Sequence, residues 1–286
     1  MIMIFKTYLS LFYHKPESSG TLPIGENMNH ITAQKLTVGY GEVEIIKTIE
    51  VDLPMGQTTA IIGPNGCGKS TLLKAISRII PYQGQVIIDG KDIEAYSRKK
   101  LARVLAMLPQ KPEATHGLTV EELVTYGRHP YVSGFGNYSK EDYEKVKWAM
   151  DVTGVLAFRH RKLDTLSGGQ KQRVWIALCL AQDTDIIFLD EPTTYLDISH
   201  QLEVLEILHD LKANHGKTIV MVLHDLNQAS KYADHLIALK EGAIVKVGTS
   251  EEVITQEVLE RLFHIQAEII PDPKTQKPLC LSFNLL

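Results

Sequence analysis

The chain has 286 residues, 44% of them hydrophobic and 22% charged, the balance of a globular protein able to bury a sizeable core. Acidic residues outnumber basic ones 34 to 30, giving a formal net charge of −4. That argues against a general nucleic-acid binder, whose surface needs an excess of Lys and Arg, and the three scattered cysteines (Cys67, Cys179, Cys280) argue against a disulfide framework or a cysteine metal site.

The first segment, MIMIFKTYLSLFYHKPESSG, begins apolar, is broken by Lys6 and ends near Tyr13, too short to cross a bilayer. Residues 14–30 are rich in Pro, Ser, Gly and Asn, so residues 1–28 are expected to form a poorly ordered, dispensable leader, with Met28 a candidate start. No later run reads as transmembrane, so membrane work is expected to pass through a partner.

ITAQKLTVGYGEVEIIKTIEVDLP alternates apolar and polar residues with Gly breaks, predicting several short strands. TTAII is a short β-branched run, followed by GPNGCGKST and then by KSTLLKAISRI at helical spacing. GQVIIDGKDI predicts a hairpin turning at DG. From about residue 98 to 180 the pattern predicts mostly helix: SRKKLARVLAM, TVEELVTYGR, SKEDYEKVKWAMDVTGV and the helix opened by SGGQ. DIIFLD and TIVMVLHD are continuous apolar runs ending in Asp, as expected of parallel strands covered on both faces. Between them EVLEILHDLKANHG reads as an amphipathic helix closed by Gly216. The whole reads as an α/β nucleotide-binding domain with a helical insertion near 111–165.

Gly63, Pro64, Asn65, Gly66, Cys67, Gly68, Lys69 and Ser70 fit G-x-x-x-x-G-K-[ST] without a gap, and Thr71 follows. Glycines let backbone N–H groups turn toward an anion at a helix N-terminus. Lys69 can reach β- and γ-phosphates, and Ser70 can ligand Mg²⁺. Asp190 ends an apolar strand, where a carboxylate can hold the Mg²⁺ shell, and Glu191 beside it can polarise an attacking water. Cys67, next to Lys69 and a helix N-terminus, is expected to favour its thiolate, to react with alkylating reagents and to be protected by ATP.

Ser167, Gly168, Gly169 and Gln170 form a second loop-to-helix stretch suited to an anion, about a hundred residues after the first. LSGGQ, GPNGCGKST, LPQ ending at Gln110, IIFLDEPTTYLD and VLHD with His224 occur together and in order. In this the chain resembles the ATP-binding-cassette (ABC) ATPases over about residues 31–250. The resemblance implies a P-loop NTPase cassette: a mixed β-sheet core, an antiparallel β-subdomain and an inserted helical subdomain. It implies a cassette over residues 29–265, a tail over 266–286, and ATP and Mg²⁺ as cofactors. Two copies are expected to pack head to tail, each ATP lying between the phosphate loop of one and Ser167–Gln170 of the other.

By motif, Tyr40 corresponds to the aromatic that stacks on adenine, and Gln110 to the glutamine that touches Mg²⁺ or water. Glu191 corresponds to the general base, His224 to the residue holding the γ-phosphate and water, and Asp197 to the loop that links the two sites. Tyr195 departs from the Asn- or Ser-like residue common at its position. LPQKPEATHGLTVEELVTYGRHPY resembles importers of ferric siderophores, haem or cobalamin, with zinc and manganese cassettes as near relatives. The expected function is therefore ATP hydrolysis powering uptake of a metal chelate, most simply a ferric siderophore. The implied partners are integral-membrane permease subunits at the cytoplasmic face of the membrane and, indirectly, a substrate-binding protein, with no nucleic acid. A DNA-repair relative would carry coiled-coil or zinc-binding insertions, and a translation-factor relative two cassettes.

Overall fold

The computed structural model describes residues 30–41, 43–110, 117–132 and 137–286. The leader expected over 1–28 and parts of the 111–165 insertion lie outside the described residues, as does the side chain of Tyr40.

The expected short strands at the start are two long ones, β1 (His30–Tyr40) and β2 (Val43–Pro54), paired antiparallel. With β4 (Gln83–Ile88) and β5 (Lys91–Asp92) they form a sheet of order β2-β1-β4-β5. The DG turn between β4 and β5 places both Asp89 (φ 49°) and Gly90 (φ 72°) in the left-handed region, as a two-residue hairpin requires.

A second sheet has the order β10-β9-β3-β8-β7-β6. β3 (Thr58–Ile62), β6 (Leu105–Leu108), β7 (Ile186–Leu189), β8 (Thr218–Val222) and β9 (His235–Lys240) run parallel, and β10 (Ala243–Gly248) pairs antiparallel at one edge. Its side chains alternate between two cores. Ile61, Phe188, Val220, Val222, Ile237 and Leu239 face the first sheet and helix α1 (Lys69–Ile76). Ala60, Ile187, Leu189, Ile219, Met221 and Leu236 face the helical side. Burial on both faces is why these strands read as unbroken apolar runs rather than as alternation.

SRKKLARVLAM is not one helix. Ser97 caps a four-residue helix, α2 (Arg98–Leu101), and Leu105–Leu108 pairs with β7 as β6. A short apolar run is ambiguous by periodicity, and here the edge of a two-sided sheet decides it.

The helical side carries α3 (Val120–Thr125), which runs on as a 3₁₀ turn over Tyr126–Tyr131, α4 (Lys140–Val152), and α5 (Gly168–Ala181). Arg128, buried among them, bonds Asp142 at 2.8 Å and the Ala181 carbonyl at 2.9 Å. α6 (Ile198–His215) ends at Gly216 with φ 61°, as the Gly predicted. α7 (Leu226–Tyr232), α8 (Ser250–Val253) and α9 (Gln256–Phe263) follow. A hairpin, β11 (Ile265–Pro271) and β12 (Pro278–Leu285), ends the chain. Among the described residues no helix is long and apolar enough to cross a membrane.

Candidate functional site

Parallel pairing puts the C-terminal ends of β3, β8, β7 and β6 on one edge of the sheet. The residues that leave those ends are the phosphate loop, His224, Asp190 with Glu191, and Gln110. The ladder continues past the strands: Asp190 N bonds the Leu108 carbonyl at 2.9 Å, and Leu223 N the Ile61 carbonyl at 3.2 Å. Ligand sites in open α/β sheets lie at such an edge.

The loop Gly63–Gly68 turns on three glycines with positive φ. A Cβ at Gly63 would lie 2.0 Å from the Leu239 carbonyl oxygen, so this position is closed to any side chain. Gly68, at φ 106°, caps α1 without a side-chain bond, leaving the first N–H groups of that eight-residue helix directed at the loop. Lys69 Nζ donates to the Gly63 and Pro64 carbonyls, both at 2.8 Å. Burial lowers its pKa, against the raising influence of Cys67, Glu191 and Asp190.

Cys67 corrects the sequence expectation. Its thiol turns under the loop into the core and is 5% exposed. Burial pushes its pKa up and outweighs the Lys69 ammonium, so the thiol form is favoured.

Ser70 Oγ donates to Asp190 Oδ1 at 2.6 Å. Asp190 is 1% exposed, its Oδ2 has no hydrogen-bond partner, and the nearest cation is the Lys74 ammonium at 3.7 Å. Burial raises its pKa, with Ser70 and Lys74 opposing. A hydroxyl and a buried carboxylate oxygen that accepts no hydrogen bond are hard donors of the kind Mg²⁺ takes beside substrate phosphates. Among the described residues no group of three or more His, Cys, Asp or Glu is placed to hold a metal ion by itself.

Glu191 sits in the left-handed region at φ 56°, a strained backbone for a non-glycine residue. Three donors hold its carboxylate: His224 Nε2 at 2.8 Å from Oε1, and Gln110 Nε2 at 2.6 Å and Thr194 Oγ1 at 3.0 Å from Oε2. Burial alone would raise its pKa; the three bonds outweigh it, His224 foremost, and the net shift is downward. Thr194 was missed from sequence, although a hydroxyl three residues beyond Glu191 in the turn was a readable signal. Tyr195 occupies the left-handed region at φ 65° and is 80% exposed. That conformation explains why Asn suits this position better than Tyr.

The second loop is built separately. Ser167 Oγ accepts from Gln170 N at 3.3 Å and Gln170 Oε1 accepts from Ser167 N at 3.1 Å, a complete capping box on α5. Gly169 abuts His200, whose ring would lie 2.5 Å from an added Cβ; a Cβ added at Gly168 would meet nothing within 4 Å among the described residues outside its own stretch of helix. His200 is in turn held by Asp197, the cap of α6, at 2.8 Å. Asp197's pKa is lowered chiefly by the His200 backbone N–H. Among the described residues no hydrogen bond or ion pair joins Ser167–Gln170 to the first loop. The structure thus brings together residues 63–71, Gln110, Asp190, Glu191 and His224, and leaves Ser167–Gln170 apart.

Residues 46–194, just over half the chain, match the family model described as ABC transporter. The chain is 50% identical over 260 residues to the iron(3+)-hydroxamate import ATP-binding protein FhuC of Bacillus subtilis, covering 91% of this chain and 97% of that protein. It is 48% identical over 255 residues to the ferric enterobactin transport ATP-binding protein FepC of Escherichia coli, covering 89% and 94%. A solved chain described as from a metal-chelate-type ABC transporter in an inward-facing conformation superposes with a TM-score of 0.78 at 28% identity, covering 91% and 98%. With this cassette match, and with such identity over nearly its whole length, the chain belongs to the ABC transporter ATP-binding proteins, which bind and hydrolyse ATP.

Proposed function

We propose that this chain powers uptake of a metal chelate, a ferric siderophore, through a separate membrane permease. The observation that supports the cargo is the identity to FhuC and FepC over some nine-tenths of the chain. The cassette spans residues 29–265 in this reading, and the protein works at the cytoplasmic face of the membrane. Its permease is fed by a substrate-binding protein.

At the site, ATP is taken by residues 63–71, with Tyr40 against the adenine. Ser70, Asp190 and Gln110 would hold Mg²⁺, which when bound neutralises phosphate charge. Glu191 takes the proton of the attacking water, and His224 holds that water against the γ-phosphate. The bonds among Glu191, Gln110 and His224 support this division of labour, since each partner is already within reach of the base.

Ser167–Gln170 serve the ATP of a second copy. The open space around Gly168 favours this reading: neither backbone angle nor packing within the chain calls for glycine there, whereas close approach of a phosphate does.

The test is growth. A strain lacking the protein should fail on ferric siderophores supplied as the single iron source and recover with the wild-type chain but not with Lys69→Ala. Normal growth on siderophore iron with failure on cobalamin or haem would assign the cargo elsewhere.

A further inference from the structure

Hairpin β11–β12 is far along the chain from the phosphate loop, yet it grips the helix that follows His224. Asn227 Nδ2 donates to the Cys280 carbonyl at 3.0 Å, and Cys280 N donates back to Asn227 Oδ1 at 2.8 Å. One side-chain amide thus makes with β12 both bonds that a neighbouring strand residue would make. Ser230, fully enclosed, donates to the Pro278 carbonyl at 2.6 Å. Lys277 Nζ reaches the Ala233 and Lys231 carbonyls at 2.7 and 3.2 Å and closes the C-terminal end of α7.

The same helix is tied to α6. Gln228 Nε2 donates to Gln201 Oε1 at 2.7 Å, and Gln201 Nε2 to the Leu196 carbonyl at 2.9 Å, one residue before Asp197. At the start of α7 Asp225 caps Gln228 N at 2.7 Å.

A seven-residue helix has little stability of its own, so its place is set by what holds it. Only Asp225 separates its first residue from His224. We infer that Asn227 is a positioning residue for His224: by clamping α7 to the backbone of Cys280, it keeps the imidazole at Glu191. This rests on the reading above that His224 acts in ATP turnover.

Asn227→Ala removes both bonds to Cys280. In the full chain assembled with its permease, kcat should fall about tenfold while KM for ATP stays within about twofold, the mark of misplacement rather than lost binding. In a His224→Ala background, followed in single-turnover assays, the same substitution should change the rate less than about twofold, because no imidazole remains to position. Equal losses in both backgrounds overturn the inference, as does a wild-type kcat for Asn227→Ala beside an impaired His224→Ala. Wild-type turnover by His224→Ala overturns the role of His224 itself, and the inference with it. Should Asn227→Ala not fold, Ser230→Ala removes a single bond and carries the same prediction at smaller size, with the same outcomes deciding.

Discussion

His224 Nε2 lies 2.8 Å from Glu191 Oε1 although the two residues leave different strands, β8 and β7. The carboxylate's other oxygen takes Gln110 and Thr194, so among the described residues two of its three donors, His224 and Gln110, are ones the sequence expects at a reacting phosphate. Glu191 is thereby oriented before ATP arrives, on a strained backbone that its neighbours hold in place.

Glu191→Gln keeps the shape of the side chain and removes its basicity. ATP turnover should fall by about 10²–10⁴-fold, the usual worth of a general base, while ATP still binds. An ATP-dependent dimer should then persist on gel filtration. Wild-type hydrolysis by this variant would move the base elsewhere.

Thr194→Val deletes one donor to Glu191 at nearly constant volume. The carboxylate's pKa lies below its ordinary 4.5 in the folded chain. A depressed carboxyl adds stability above its unfolded pKa and loses it as pH falls through the folded one. The variant should therefore lose about 1 kcal/mol at neutral pH, and less of that below pH 4.5. The acid limb of turnover should also move to higher pH. Denaturant melts and a pH–rate profile check both signs.

Lys69→Ala removes a charged donor to the phosphates, and ATP affinity should weaken by about 1.5–3 kcal/mol. That is about one to two decades in Kd, measurable by fluorescent-nucleotide titration.

The two signature glycines should part company. Gly169→Ala drives a methyl into the His200 ring, which Asp197 restrains, and should cost about 1–3 kcal/mol in the free chain. Gly168→Ala meets nothing within 4 Å, so thermal stability should be kept while ATP-driven dimerisation falls. Dimerisation unchanged in Gly168→Ala would leave the two-copy site without its support.

Cys67 should alkylate slowly near neutral pH, with the rate climbing steeply toward and beyond pH 9, because burial favours its thiol. Mass-spectrometric labelling against pH gives the curve. Fast labelling at pH 7 would restore the exposed thiolate that sequence spacing suggests.

Much of the site was legible because its residues leave strand ends that apolar runs reveal. TTAII, DIIFLD and TIVMVLHD each announce a covered strand, and parallel packing then delivers Lys69, Asp190, Glu191 and His224 to one edge. Contacts between residues distant in sequence left no local trace. Nothing in the spacing of Gly169 foretells His200, and nothing near Asn227 foretells Cys280. Residues 105–107, the end of SRKKLARVLAM, read as helix in sequence because a short apolar run fits either period until β7 lies beside it. Cys67 misled for a related reason: in sequence it lies among glycines, Asn65 and Lys69, while in space it belongs to the buried core that also holds Ile46, Ile61 and Leu239.

The two hydrogen bonds that Lys69 donates to the carbonyls of Gly63 and Pro64 bear on how a nucleotide is taken up and let go. An ammonium has three protons to give, and two already have acceptors inside the loop. One proton is left to give, so an arriving phosphate takes that proton first and gains a second only by displacing a carbonyl. The protein's hold on an anion is therefore part addition and part exchange, and a departing product leaves behind a cation that the loop still clothes.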